Sequence, residues 1–528
     1  MSVDTNNAAF QDALNLIQYT RQSVFLTGKA GTGKSTFLRY VCENTKKKHV
    51  VLAPTGIAAI NAGGSTMHSF FKLPFYPLLP DDPNLSLQRG RIHEFFKYTK
   101  PHRKLLEQIE LVIIDEISMV RADIIDAIDR ILRVYSHNLR EPFGGKQLLL
   151  VGDVFQLEPV VKNDEREILN RFYPTPYFFS ARVFGQIDLV SIELQKVYRQ
   201  TDPIFVGVLD HIRNNTAGAA DLQLLNTRYG SQIEESEADM YITLATRRDT
   251  VDSINEKKLA ELPGDPITFE GVIEGDFPES SLPTSQELVL KPGAQIIFIK
   301  NDFDRRWVNG TIGVIAGIDE EEETIYVITD DGKECDVKRE SWRNIRYRYN
   351  EKTKEIEEEV LGSFTQYPIR LAWAITVHKS QGLTFSRVVI DFTGGVFAGG
   401  QAYVALSRCT SLDGIQLKKP INRADVFVRP EIVNFAGRFN DRQAIDKALK
   451  QAQADVQYAA ASRAFDKGDM EECLEQFFRA IHSRYDIEKP VPRRFIRRKL
   501  GVINTLKEQN KKLKEQMREQ QERLRQYA

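Results

Sequence analysis

Eight consecutive residues near the N-terminus have the types and the spacing of a phosphate-binding loop, G-x-x-x-x-G-K-[ST]. Gly28, Gly31 and Gly33 allow the backbone to curl so that its N–H groups point at phosphate oxygens. A helix predicted to begin at Lys34 adds the positive end of its dipole, and the Lys34 ammonium can reach the β- and γ-phosphates, while the Ser35 hydroxyl binds Mg²⁺. A plain glycine-rich turn is the alternative, but the apolar run before Gly28 favours a site that binds and splits a nucleoside triphosphate.

Two carboxylates and one amide follow predicted strands further along the chain. Asp115 and Glu116 come after the apolar run 111–114, and Gln156 follows the run 148–151. In a triphosphatase, the first carboxylate would bind Mg²⁺, and the second would orient and deprotonate the attacking water. The Gln156 amide can sense the γ-phosphate or position that water. Acidic pairs are common at strand ends, so Asp115 and Glu116 indicate a catalytic role only because they follow a phosphate loop in the same chain.

These groups need a scaffold that brings the ends of several strands together. Up to about residue 200, the unbroken apolar runs 23–26, 49–53, 111–115 and 147–152 alternate with helical patterns, which predicts a doubly wound α/β domain with a parallel sheet. A Pro-rich stretch interrupts this rhythm, and a second, split α/β unit encloses a β-rich segment. The predicted domains are 1–200 with an insertion at 70–100, 201–284 joined to 363–430 around an insertion at 285–362, a helical extension at 431–490 and a basic tail at 491–528.

Composition narrows the class of protein. The 528 residues carry a net charge of −1, but residues 491–528 hold twelve Lys or Arg against four Glu. A nucleic-acid site would therefore have to be a local groove. The four cysteines are scattered without a C-x-x-C pair, which argues against a zinc site or a disulfide framework. Without a signal pattern or an apolar run long enough to span a membrane, a cytoplasmic protein is expected.

The order of the motifs resembles that of superfamily 1 DNA helicases of the petite-integration-frequency (Pif) type, in the branch that also holds RecD. The resemblance spans most of residues 10–425 and leaves residues 430–528 outside. The segments that carry it are 25–35, 53–59, 64–70, 115–119, 152–160, 194–200, 374–382 and 403–409. It implies an α/β fold with two RecA-like P-loop domains, a wedge subdomain inserted in the first, an SH3-like β-barrel inserted in the second, and a helical C-terminal extension.

The resemblance also implies how nucleotide is bound. ATP and Mg²⁺ would lie between the two domains, with Arg199 and Arg408 reaching the γ-phosphate as charged, planar forks. Gln11 matches a glutamine that reads adenine. The residues expected to touch the nucleotide are Gln11, Gly28, Gly31, Thr32, Gly33, Lys34, Ser35, Thr36, Gln381 and Gly382, and Asp115 joins Ser35 at the metal.

For DNA, the resemblance points to small polar stretches at strand or helix ends, which offer hydroxyl and backbone N–H groups to phosphates whatever the base. The expected contacts are Thr55, Gly56, Thr66, His68, Ser69, Phe70, Thr246, His378, Lys379 and Ser380. Phe70 and Phe71, or the pair Phe75 and Tyr76, are candidates to stack or wedge against bases. Packing in an apolar patch is the alternative for each of these rings.

The sequence thus predicts an ATP-dependent DNA helicase that moves 5′ to 3′ on single strands and unwinds forked or structured DNA, the polarity being implied by the resemblance alone. An NTP-driven remodeller of protein or RNA targets is the alternative. In the tail, apolar residues follow a heptad spacing interrupted by Asn510: Ile503, Leu506, Leu513, Met517 and Leu524. This pattern fits either a short coiled coil or a solvated basic helix, so we expect a mostly monomeric enzyme with pairing through the tail as a secondary property.

Overall fold

The computed structural model describes the chain except for residues 1–3, 5–6, 87–90, 201, 231–239, 305, 485–489 and 527–528. It divides the chain into two units, Met1–Arg442 and Gln443–Ala528. The α-helices are α1 Ala8–Tyr19, α2 Lys34–Asn44, α3 Gly56–Ala62, α4 Met67–Phe71, α5 Arg91–Phe96, α6 Lys100–Gln108, α7 Ala122–Tyr135, α8 Asn163–Leu169, α9 Pro203–Arg213, α10 Ala219–Asn226, α11 Arg248–Glu261, α12 Gln401–Leu406, α13 Pro430–Ala436, α14 Arg442–Lys467, α15 Met470–Arg484 and α16 Pro490–Gln526. The strands are β1 Val24–Gly28, β2 His49–Ala53, β3 Ser65–Thr66, β4 Leu111–Ile114, β5 Gln147–Val151, β6 Val190–Leu194, β7 Ile242–Ala245, β8 Ile267–Glu270, β9 Val272–Gly275, β10 Glu287–Leu290, β11 Gln295–Phe298, β12 Ile312–Asp319, β13 Thr324–Thr329, β14 Glu334–Val337, β15 Glu340–Asn350, β16 Glu355–Gln366, β17 Ile369–Leu371, β18 Ala374–Thr376, β19 Val388–Asp391 and β20 Ile415–Leu417.

A six-stranded parallel sheet, ordered β3-β2-β4-β5-β1-β6, forms the core of the first domain. β1, β4 and β5 are buried along their whole length, which explains why each is an unbroken apolar run without alternation. Because the carboxyl ends of parallel strands meet at one edge of a sheet, the phosphate loop after β1 and the polar residues after β4 and β5 share that edge. The predicted α/β fold with a parallel sheet is confirmed.

A second parallel sheet, ordered β18-β7-β19-β20, forms the core of the second domain. Its strands share one apolar cluster with side chains of α9 and α12, among them Phe205, Ile212 and Val404. Strands β7 and β19 are fully buried, as in the first sheet. The phosphate loop of the first domain faces α12 of the second across a cleft, where the Ala30 N–H donates to the Tyr403 hydroxyl at 3.0 Å.

Antiparallel strands are inserted between β7 and β18. The largest inserted sheet is ordered β14-β13-β12-β11-β17, and two smaller sheets are β10-β8 and β15-β16-β9. The predicted bounds of 285–362 are too narrow, because β8 and β9 precede them and β17 follows them while pairing with inserted strands. β8 and β9 are short and largely exposed, so their apolar pattern is weak.

The long hairpin β15–β16 anchors the insertion on the first domain. Tyr347 of β15 is 6% exposed and belongs to the apolar cluster around β2 and β4. Its hydroxyl accepts a hydrogen bond from the Val51 N–H at 3.3 Å, where the two-residue strand β3 leaves the edge of β2 uncovered. The ammonium of Lys48 lies 5.3 Å from the centroid of the Tyr349 ring. No local sequence pattern indicates this contact.

After the second sheet the chain returns to the first domain. The rings of Phe435 and Phe439 lie 5.6 and 5.7 Å from the ring of Phe25 in β1. Asn440 holds the backbone of the edge strand β6, because its Oδ1 accepts from the Glu193 N–H at 2.8 Å and its Nδ2 donates to the Glu193 carbonyl at 3.2 Å. The predicted start of the extension at 431 is therefore too early, since the division between the units lies after Arg442.

The second unit is helical. The spacing of residues 453–485 predicts a helical hairpin that turns at Gly468 and Asp469; α14 and α15 form this hairpin, with α14 beginning earlier, at Arg442, and Phe465 and Cys473 pack between the two helices. Along α16 the side chains of Ile503 and Leu524 lie outside the described residues, and the apolar side chains that are described are exposed: Val502, Leu506, Leu513 and Met517. Across the described ranges, no helix has the length and apolar character needed to cross a membrane.

Candidate nucleotide site and nucleic-acid interface

The phosphate loop adopts the backbone shape that its glycines predict. Gly31 and Gly33 have φ of 80° and 89°, in the left-handed region that favours glycine. Gly33 caps α2 without a side-chain hydrogen bond, so the N–H groups of the first helical turn are available to an anion. The Lys34 ammonium donates to the carbonyls of Gly28 at 2.6 Å and Lys29 at 3.0 Å. Burial lowers the pKa of Lys34, and a partly desolvated cation attracts phosphate more strongly than one in water.

Asp115 and Glu116 lie at the end of β4, and the backbone of Glu116 is strained. Its φ of 50° and ψ of 42° fall in the left-handed region, which residues other than glycine adopt uncommonly. Asp115 Oδ1 accepts a hydrogen bond from the Glu116 N–H at 2.9 Å. Burial, and then the charge of Asp115, raises the pKa of Glu116 to about 7 against the opposing effects of Lys34 and Arg408. A carboxylate with this pKa is suited to take a proton from water at neutral pH.

A compact turn after β5 holds Gln156 in place through Asp153. Asp153 Oδ1 accepts from the Phe155 N–H at 3.2 Å, and Oδ2 accepts from the Gln156 amide at 3.3 Å. Asp153 is also ion-paired with Arg213, whose Nη2 lies 3.1 Å from Oδ1. The sequence does not mark Arg213 as a site residue, because a single arginine at the end of a helix belongs to none of the recognised motifs.

Arg199 lies between the phosphate loop and the second domain. The Gly31 carbonyl accepts from the Tyr198 N–H at 2.9 Å, and a Cβ on Gly31 would lie 2.4 Å from the Cβ of Arg199. The guanidinium donates across the cleft to the carbonyls of Gly382 at 3.3 Å and Ser407 at 3.5 Å. Burial lowers the pKa of Arg199. The close packing shows why glycine is needed at position 31.

Arg408 is the second predicted arginine, and it is 1% exposed. Its guanidinium donates to the carbonyl of Val404 at 2.9 Å, to those of Leu383 and Ser380 at 3.3 and 3.4 Å, and to the Ser407 hydroxyl at 3.0 Å. Burial, followed by the charge of Arg199, lowers the pKa of Arg408 to about 9, so the group stays charged at neutral pH. Its hydrogen-bond acceptors are all neutral, and a buried cation held this way is suited to an anionic ligand.

The remaining residues predicted to contact the nucleotide differ from one another in exposure and in hydrogen bonding. Thr32 is 3% exposed and its hydroxyl donates to the Lys29 carbonyl at 2.9 Å, so its side chain stabilises the loop itself. Ser35 and Thr36 lie in the first turn of α2, and Ser35 is exposed. The Gln381 Nε2 is buried and has no hydrogen-bond partner among the residues that the structure describes. Gln11 is half-buried on α1, and its contact with adenine stays a prediction.

The residues proposed for Mg²⁺ fit a divalent cation that also binds phosphate. Burial raises the pKa of Asp115, and a second carboxylate, Glu116, follows directly, so negative charge is crowded at this point. In the described ranges, no three His, Cys, Asp or Glu side chains are arranged to hold a metal by themselves. The Ser35 hydroxyl and Asp115 would therefore share the ion with nucleotide phosphates.

Three threonines at the predicted DNA surface cap short helical turns. Thr55 accepts from the Ala58 N–H, Thr66 from the Ser69 N–H, and Thr376 from the Lys379 N–H, each at 3.2 Å. Thr55 and Ser69 are exposed, and Gly56, Thr66 and His68 are half-buried. Capped turns of this kind present hydroxyl and N–H groups that can meet a phosphate whatever the base.

The predicted stacking of Phe70 or Phe71 on bases is wrong for their rings. Phe70 is 4% exposed and Phe71 is fully buried, with their ring centroids 4.8 Å apart. Phe75, the other candidate, is 83% exposed, and its ring stacks on that of His68 with centroids 5.0 Å apart and planes 8° from parallel. Tyr76 beside it is also exposed. Open aromatic surface thus adjoins the capped turn of α4.

Predicted DNA contacts in the second domain divide into two groups. Lys379 is exposed and His378 half-buried, and burial lowers the pKa of both. Ser380 is fully buried and its Oγ donates to the Val377 carbonyl at 2.8 Å, and Thr246 is 5% exposed. Neither hydroxyl can reach a phosphate in this arrangement, so these two predictions are corrected. The segment 376–380, predicted as one small polar stretch at a strand end, alternates between surface and core.

The known proteins that this chain resembles are helicases that use ATP, in agreement with the nucleotide site described above. Residues 4–210 match the PIF1-like helicase family. The ATP-dependent DNA helicase Pif1 of Campylobacter jejuni is 33% identical over 412 residues, which cover 75% of this chain and 88% of that protein. Two parallel-sheet domains with a phosphate loop on one side of a cleft and paired arginines at it define a nucleotide-driven motor. The chain belongs to the PIF1-like helicase family and is an ATP-dependent DNA helicase.

Solved structures give the same fold. The crystal structure of Bacteroides sp Pif1 in complex with ADP-AlF4 matches with a TM-score of 0.75 and 41% identity, covering 83% of this chain and 97% of that one. The crystal structure of Bacteroides Pif1 bound to single-stranded DNA has the same identity of 41%, covers 84% and 99%, and has a TM-score of 0.59. The structure of unliganded Pif1 from Bacteroides sp matches with a TM-score of 0.73 and 41% identity, so the arrangement of this chain is nearer to the two structures without DNA than to the one bound to DNA.

Proposed function

We propose that this helicase hydrolyses ATP with Mg²⁺, moves 5′ to 3′ along single-stranded DNA and opens duplex DNA at forks. The observation that carries the proposal is the meeting of Lys34 and Glu116 with Arg199 and Arg408 at one cleft. Their charges act on one another, since Glu116 and Arg199 both affect the pKa of Lys34 and that of Arg408. The polarity is supported by resemblance to the family.

Each of these residues has a defined part in hydrolysis. The N–H groups of the phosphate loop and the Lys34 ammonium bind the phosphates, and the two arginines neutralise charge that develops on the γ-phosphoryl group. Glu116 accepts the proton of the attacking water, and the Gln156 amide orients that water. Mg²⁺, shared by Ser35 and Asp115, would supply a further positive charge at the phosphates.

We assign the DNA path to the capped turns at Thr55 and Thr66 in the first domain and to His378 and Lys379 in the second. Closure of the cleft would shift the second pair of contacts relative to the first, which moves the strand by a small step. The Ser380 carbonyl, which accepts from Arg408, joins the second DNA segment directly to the nucleotide site. Phe75 and Tyr76 offer an exposed edge on which a fork could be split.

Unwinding of tailed duplexes tests this function. Duplexes with a 5′ or a 3′ single-stranded tail are compared, together with a 5′-tailed duplex whose tail is RNA, and Glu116→Gln serves as the control for hydrolysis. We expect unwinding from the 5′ DNA tail, little from the 3′ tail, and stimulation of ATPase by DNA above RNA. Preference for the 3′ tail would contradict the polarity, and equal stimulation by RNA would favour an RNA target.

A further inference from the structure

Arg213 extends from the second domain into the first. It is the last residue of α9, whose apolar residues Phe205, Leu209 and Ile212 are part of the core of the second domain. Its guanidinium nevertheless lies among residues of the first domain, and Arg213 is 3% exposed. Because this long side chain begins in the core of the second domain and ends in the first domain, its contacts depend on the distance between the two domains.

The partners of Arg213 are two carboxylates and an aromatic ring. Nη2 lies 3.1 Å from Asp153 Oδ1, Nη1 lies 2.9 Å from Glu193 Oε1, and the guanidinium carbon lies 4.3 Å from the centroid of the Phe155 ring. Asp153 is itself 1% exposed. Removing the guanidinium would leave a buried carboxylate without its counterion, which is strongly unfavourable.

The fork of Arg213 is incompletely satisfied in this arrangement. Its Nε has no hydrogen-bond partner among the described residues, and the close approach of Nη1 to Glu193 Oε1 lacks hydrogen-bond geometry. A purely structural buried ion pair is expected to satisfy its donors. The hydrogen-bonding capacity of the Arg213 fork is therefore not used up by these contacts.

The same turn of the first domain is held from a second side. A Cβ on Gly400, at the start of α12, would lie 2.3 Å from the carbonyl oxygens of both Phe155 and Gln156. Leu157, just after the turn, is packed within the core of the second domain. The turn 153–156 is therefore packed against the second domain, with Asp153 linking Arg213 to the Gln156 amide.

From these contacts we infer that Arg213 is a positioning residue, which places Gln156 for ATP hydrolysis through Asp153 when the cleft closes. The inference rests on the role proposed above for Gln156. Arg213 need not touch the nucleotide, because its effect passes through the carboxylate that also accepts from the Gln156 amide at 3.3 Å. Closure of the domains thereby becomes a condition for orienting the attacking water.

A double-mutant cycle on DNA-stimulated ATPase tests the inference. The full-length wild type is compared with Arg213→Met, Gln156→Ala and the double variant. We expect Arg213→Met to lower kcat about 10- to 100-fold, because small misplacement of a catalytic group has effects of this size, with KM for ATP changed less than about threefold. In the Gln156→Ala background, Arg213→Met should lower kcat no further, since residues that act through each other are not additive.

The matched control is Arg133→Met. Arg133 is 5% exposed and ion-paired with Asp129 at 2.8 Å within the first domain, so its loss also strands a buried carboxylate, but kcat should stay unchanged. If Arg213→Met does not fold, Arg213→Lys, which keeps the charge and loses the fork, carries the same cycle. Additive effects on kcat, or a raised KM at unchanged kcat, would overturn the inference.

The same measurements separate this inference from the proposed function. A wild type without DNA-stimulated hydrolysis would contradict the proposed function itself. A Gln156→Ala variant with the kcat of the wild type would overturn the role of Gln156, and the inference with it. A slow Gln156→Ala variant combined with an additive cycle would overturn the positioning role of Arg213 alone.

Discussion

Glu116 combines a left-handed backbone with a carboxyl group whose pKa is raised by burial to about 7. As the proton acceptor it must be ionised, so kcat/KM for ATP should fall as the pH drops below about 7 and stay level above it. Glu116→Gln should remove hydrolysis at every pH. A pH profile of ATPase measured at subsaturating ATP checks this. A profile that stays flat down to pH 5 would contradict the assignment of Glu116 as the base.

The raised pKa of Glu116 also predicts how the stability of the protein depends on pH. The folded pKa of about 7 lies above the ordinary value of 4.5, so folding favours the protonated form and stability is lost as the pH rises through that interval. At pH 8, Glu116→Gln should be more stable than the wild type by about 3 kcal/mol, with no difference below about pH 4.5. Urea unfolding at both pH values measures it. Glu431→Gln, on the exposed face of α13, is the control and should change neither value.

Lys34→Ala should abolish ATP hydrolysis and leave the affinity for single-stranded DNA intact. The ammonium is held inside the phosphate loop by the carbonyls of Gly28 and Lys29, away from the capped turns assigned to DNA. Binding of a labelled oligonucleotide without nucleotide, together with steady-state ATPase, tests both halves. Loss of DNA binding in a folded variant would show that the two sites are not separate.

Arg199→Ala and Arg408→Ala should each lower kcat by about 10³-fold or more, with a much smaller loss of ATP affinity. Arg408 is buried and Arg199 half-buried, and both donate to neutral acceptors, so their charge is available to the phosphoryl group. Steady-state ATPase and binding of a non-hydrolysable ATP analogue separate the two effects. A variant that keeps near-normal turnover would show that its arginine is structural.

At the scale of elements, the hairpin β15–β16 contacts β2 through the packed ring of Tyr347 and through its hydroxyl. Tyr347→Phe leaves the buried Val51 N–H without its partner and should lower the free energy of unfolding by about 1–3 kcal/mol. Tyr326→Phe, in the exposed part of β13, is the control and should have no measurable effect. Urea unfolding compares the two variants. Equal stability of both would mean that water replaces the hydroxyl at Val51.

Strands were predictable where burial on both faces leaves an unbroken apolar run, as in β1, β2, β4 and β5. β6 was missed, because Ser191 and Glu193 interrupt the run in this edge strand. The motif residues of the nucleotide site follow from phosphate chemistry that acts over a few neighbouring positions. Arg213 and Tyr347 act across the fold, on partners far away in sequence, and no local pattern marks such residues.

At the scale of the whole molecule, the tail 491–528 carries a net charge of +8 by its twelve Lys or Arg against four Glu. We expect its deletion to leave DNA-stimulated ATPase intact and to weaken DNA binding more at low salt than at high salt, because phosphate contacts release counterions. DNA affinity measured over a salt series tests this. A full-length protein that sediments as a stable dimer, and as a monomer after the deletion, would instead support pairing through the exposed apolar side chains of α16.

The return of the chain to the first domain at α13 limits how the second domain can move. The backbone passes from β6 to α9 and comes back between residues 426 and 430, and Asn440 fastens the returning segment to the very strand from which the chain departed. The two chain connections between the domains therefore lie close together, and the line through them defines an axis. Rotation about that axis would open and close the cleft. We therefore expect the main motion between the two domains to be a rotation, which would give each turnover of nucleotide a stroke in the same direction.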